Sequence, residues 1–90
     1  MNQRLAIESL AMDLKRISLG IHRGSTGMAR RFKEEALKRE EELSSEDLDL
    51  YLRSLVQKTR SALDDEDPEN LLMYSTLLQN IAVSRYQDVF

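Results

Sequence analysis

The chain has 90 residues, of which 41% are hydrophobic and 32% charged, with no cysteine and a formal net charge of −3. That length accommodates one hydrophobic core, and the composition excludes a disordered chain. The missing cysteine excludes a disulfide framework and thiolate metal sites. Three glycines and one proline leave few breaks, which favours a few long helices over many short strands. The expected fold class is all-α: a single domain, 1–90, built as a small bundle of about four helices over roughly 3–21, 26–43, 46–63 and 68–87, with short connections.

In the first segment Ile7, Leu10, Leu14, Ile17 and Ile21 recur at spacings of three and four, which defines one face of a helix. Gly20 and Gly24 bracket its expected end, where glycine relieves left-handed backbone. Glu8 and Asp13 interrupt the apolar pattern where a secretory signal needs an unbroken run. Together with the absence of cysteine, this points to a cytoplasmic protein.

The second segment opens after Ser25 or Thr26, either of which is a suitable N-cap, and carries the seam Met28, Ala29, Phe32, Ala36, Leu43. Glu34–Lys38 and Glu35–Arg39 stand four apart in the favourable order, so this stretch reads mostly as a solvated face. The third segment is expected from about Glu46, capped by Ser44 or Ser45, with acidic residues in its first turn matching the helix dipole. Leu48, Leu52, Leu55, Val56 and Leu63 form its buried stripe, with Tyr51 at the edge. The fourth opens on Asp67-Pro68, an N-cap followed by a proline that lacks only an N–H no helix would use there. Its apolar face is Leu71, Tyr74, Leu77, Leu78, Ile81 and Ala82.

Two of these helices carry a second apolar side. Leu5, Met12 and Leu19, spaced by seven, fall opposite the main face of the first; Leu72, Val83 and Phe90 fall away from the main face of the last. Either one helix is central and covered by neighbours on both sides, or the extra stripe meets another molecule. A chain this short rarely encloses a helix completely, so these six residues are expected to form an interface between copies, in a homodimer.

Charge is unevenly distributed. Lys15, Arg16, Arg23, Arg30, Arg31 and Lys33 fall in a stretch with no acidic residue, while Asp64, Asp65, Glu66, Asp67 and Glu69 form an acidic knot. A glycine- and hydroxyl-rich turn enters the second helix here, so His22, Arg23, Ser25, Arg30 and Arg31 are the candidate residues for binding an anion or an acidic partner protein. A DNA- or RNA-binding regulator using the patch Lys15–Lys33 is the alternative, opposed by Glu34, Glu35 and Glu40–Glu42 beside it.

Arg16 and His22 resemble the arginine-and-histidine motif of the HEPN family of helical ribonucleases and nucleotide-binding domains. That resemblance would imply a ribonuclease or nucleotide site at this pair. The family carries its motif in a late helix with a polar residue after the arginine; here the pair closes the first helix and Ile17 holds that position, so no family is assigned.

One histidine and no cysteine give no zinc set, and the acidic run lacks the glycine of a calcium loop. No metal, cofactor or catalytic residue is expected. The sequence supports a non-enzymatic protein–protein interaction or regulatory module, homo-oligomeric, with no membrane partner.

Overall fold

A computed structural model describes residues 2–85. They form four helices: α1 (Gln3–His22), α2 (Thr26–Ser44), α3 (Leu50–Asp65) and α4 (Pro68–Arg85). The expected end of the last helix beyond Arg85 lies outside the described residues. None of the described helices is long and apolar enough to cross a membrane.

The caps explain the boundaries. Asn2 accepts from the Leu5 N–H at 2.8 Å to start α1, and Gly24, at φ +71, ends the turn after it. Gly20 corrects one expectation. It is buried inside α1 rather than at its end, and an added Cβ would lie 3.2 Å from the Ala29 nitrogen and 3.3 Å from the Ser25 carbonyl oxygen. The missing side chain lets the start of α2 approach α1. Ser25 holds the N-cap position of α2 but makes no side-chain capping bond.

The start of α3 is a second correction. Neither Ser44 nor Ser45 caps it, because the Ser45 hydroxyl turns back and donates to the Glu42 carbonyl at 2.7 Å. The chain resumes helix only after Asp49, whose carboxylate accepts from the Leu52 N–H at 2.8 Å. Leu48 is buried in the connection, outside the helix to which its apolar character assigned it. Glu66, left-handed at φ 53, closes α3. Asp67 then accepts from the Glu69 N–H at 3.0 Å, the cap that its place before Pro68 foretold.

Each helix runs antiparallel to its chain neighbour, and α4 returns beside α1. Ser18 donates to the Pro68 carbonyl and Ser75 to the Ala11 carbonyl, each at 2.7 Å. Seven residues back along α1 thus match seven forward along α4, which is one register for the whole seam. The α2/α3 seam repeats the pattern, with Thr59 on Glu40 and Glu66 on Lys33. All four segments belong to one bundle, with none set apart as an arm. Helix α1 packs most closely, against α2 on one side and α4 on the other, while α3 sits more lightly against α2 and α4.

The core is aliphatic. Ile7, Leu10 and Leu14 of α1 meet Leu43, Leu52, Leu63, Leu71 and Leu78, all with 1% or less of their surface exposed. Each such side chain contributes roughly 1.5–3 kcal/mol on burial.

Candidate functional site

Helix periodicity divides α1 into four sides. Ile7, Leu10, Leu14 and Ile17 enter the core; Ala11 and Ser18 face α4 through the seam bonds; Arg16 and Gly20 face Phe32 and Ala29 of α2. At 100° per residue the remaining side holds Leu5, Met12 and Leu19. Packing between two neighbours does not cover them: they are 48%, 44% and 37% exposed. Glu8 and Lys15 border this stripe on its α4 edge, and Ser9 and Arg16 on its α2 edge.

Helix α4 repeats the arrangement. Leu71, Leu78, Ile81 and Ala82 are inside, while Leu72 and Val83 stand 45% and 55% exposed. Met73, also exposed, was not singled out by the periodicity because it sits between the two stripes. Phe90 lies outside the described residues.

Beside the α1 stripe, an open groove of about 430 Å³ runs between α1 and α2, bordered by Leu5, Met12, Phe32, Glu35 and Arg39. Its floor is polar. The Asp13 carboxylate is buried there, 3.6 Å from the Arg16 guanidinium, which stacks over the Phe32 ring with 5.0 Å to its centroid. Burial raises the Asp13 pKa, and the charges of Arg16 and Arg39 hold the rise back.

The basic turn is more dispersed than its sequence suggests. His22, Arg23, Arg30 and Arg31 are exposed and Ser25 is half-buried. Arg30 alone of these five borders the cleft of about 400 Å³ at this end of the bundle, with Ile17, Ile21, Ala29, Lys33 and Glu66. Arg31 lies toward the Phe32 ring, 6.0 Å from its centroid. Two cations of the patch are engaged inside the chain, Arg16 with Asp13 and Lys33 with Glu66 at 3.4 Å. Arg16 and His22 do not share a face: the arginine is held against α2, whereas the histidine is exposed in the last turn of α1.

A buried acid escaped the sequence reading. Glu40, 1% exposed, lies within 2.5 Å of the Thr59 hydroxyl of α3. Burial raises its pKa to about 7, against the lowering effects of the Thr59 hydrogen bond and the Arg60 charge, with Asp64 adding to the rise. Its signal was present, since Glu40 falls four after Ala36 and three before Leu43 on the α2 seam. The surrounding run of charge hid it. Neither expected pair on this helix forms: Lys38 pairs with Glu35 and Arg39 with Glu42, each three residues apart rather than four.

Comparison with known family models, curated proteins and solved structures gave no match for this chain.

Proposed function

We propose that the chain works as a homo-oligomeric helical bundle, a non-enzymatic interaction or regulatory module whose copies meet through the outer face of α1, with Leu72 and Val83 of α4 alongside. One observation carries this reading: Leu5, Met12 and Leu19 line up on one side of the helix that is otherwise best enclosed, and each keeps more than a third of its surface in water. Soluble monomers seldom leave a patch of this kind uncovered. A two-fold dimer would use the same patch twice. Ten half-exposed apolar side chains, at roughly 1 kcal/mol each, set against an association cost of at least about 4 kcal/mol, correspond to a reversible complex in the micromolar range.

The test is the mass in solution, by light scattering from low to high micromolar protein, for wild type and Met12→Glu. Wild type should rise above 10.4 kDa with concentration, while Met12→Glu, with unchanged helical content, stays monomeric. A wild-type mass fixed at the monomer value overturns the proposal. A parallel titration with short DNA and RNA duplexes at low salt tests the alternative, because contacts to phosphate weaken steeply as salt rises; salt-sensitive binding by a monomeric chain would replace self-association with the nucleic-acid reading.

A further inference from the structure

We infer that two copies pair α1 against α1 in antiparallel orientation, on a two-fold axis through Met12, and that Glu8 and Lys15 set this orientation. The inference rests on the self-association proposed above and names its geometry.

The stripe repeats every seven residues, the spacing at which two helices keep one seam in contact. An antiparallel pair centred on Met12 sets Met12 against itself and Leu5 against Leu19 of the second copy. Glu8 and Lys15 lie on one edge of the stripe, four residues before Met12 and three after it. The two-fold axis therefore brings Glu8 beside Lys15 of the second copy, and Lys15 beside its Glu8. On the other edge Arg16 meets Ser9 of the second copy. No like charges face each other.

The parallel alternative stacks the same apolar residues but brings opposite edges together, setting Glu8 against Ser9 and Lys15 against Arg16 of the second copy, a like-charge contact made twice. Within the chain Glu8 is held by Arg4 at 3.1 Å. Lys15 is exposed and forms no ion pair among the described residues. An unpaired cation bordering an apolar stripe, with an acid seven residues before it, is the pattern an antiparallel copy complements. The occupant that fits this face best is the face itself.

Charge reversal tests the orientation. Glu8→Lys alone and Lys15→Glu alone place like charges across the antiparallel pair, and each should weaken self-association about tenfold, by sedimentation equilibrium at low salt. The double variant Glu8→Lys/Lys15→Glu should restore it to near wild type, as should mixing the two single variants. Neither position is buried, Lys15 being exposed and Glu8 half-exposed, and circular dichroism of each variant checks that the bundle is intact.

In a parallel pair, Lys15→Glu would replace a like-charge contact with Arg16 by an opposite-charge one and Glu8→Lys would meet only Ser9, so neither single reversal would weaken association. Single variants as strongly associated as a dimeric wild type therefore overturn the antiparallel pairing and leave self-association standing. So does a double variant no better than the singles. A monomeric wild type overturns both.

Discussion

The Thr59 hydroxyl and the Glu40 carboxyl meet at 2.5 Å across the α2/α3 seam, both out of contact with water. The same hydroxyl oxygen lies 2.6 Å from the Val56 carbonyl oxygen. A hydroxyl has one proton, so Thr59 cannot donate to both neighbours. With the carboxyl protonated, Glu40 donates to Thr59 and Thr59 donates onward to Val56. The other carboxyl oxygen, Oε2, is buried without a hydrogen-bond partner, and that arrangement costs far less for a neutral acid than for an anion. The fold therefore favours the protonated form.

This gives stability a direction with pH. The folded-state pKa of Glu40, about 7, stands above the ordinary value of 4.5. The folded state accordingly binds more protons between those values. The contribution is fully present below 4.5 and is lost as the pH rises through 7. Wild type should lose about 2–3 kcal/mol of unfolding free energy between about pH 5 and pH 8. Asp13, also raised by burial, adds a slope of the same sign. Asp49 is lowered, chiefly by the hydrogen bond from the Leu52 N–H; its contribution is lost only in acid and does not enter this window. Glu40→Gln, which mimics the protonated acid, should flatten the profile and leave the variant more stable than wild type at pH 8. Urea unfolding at several pH values checks this, and a wild-type profile without a decline toward pH 8 would contradict it.

Gly20 and Gly24 should respond differently to substitution. At Gly20 the contacts of an added methyl are mainly backbone atoms of Ser25 and Ala29, 3.2–3.3 Å away, which cannot swing aside. Gly20→Ala gains helix propensity of about 1 kcal/mol and spends it on moving α2, so its net effect should be small. Gly20→Leu should cost about 1–3 kcal/mol or more by overpacking. Gly24 has open space around it but φ +71. Gly24→Ala should cost about 1 kcal/mol through the backbone alone, and Gly24→Asn should cost less. Thermal unfolding of the four variants separates the two mechanisms; equal losses for Ala and Asn at position 24 would rule out the backbone explanation.

What the sequence made legible follows from where each signal resides. The four helices, the main apolar faces apart from Leu48 and the Asp67-Pro68 start are local patterns, and the described residues carry them. The start of α3 was misplaced because Ser45 can bond forward or backward, and only the packed chain decides that it closes α2. Gly20 looked like a terminator because its use, the approach of Ala29, is a long-range contact. Glu40 was hidden by its charged neighbours, although its phase on the α2 seam matched Ala36 and Leu43. The turn residues Arg23, Arg30 and Arg31 are close in sequence, but the helix start spreads them over different sides, and only Arg30 reaches the end cleft.

The most direct test of the α1 contact uses the absence of cysteine. Met12→Cys places one thiol on the proposed two-fold axis, and Ser61→Cys places one on the exposed side of α3. With a short thiol-to-thiol cross-linker at micromolar protein, Met12→Cys should yield covalent dimer in high proportion, while Ser61→Cys yields little. Equal yields from the two variants, or no dimer from Met12→Cys, would contradict the contact.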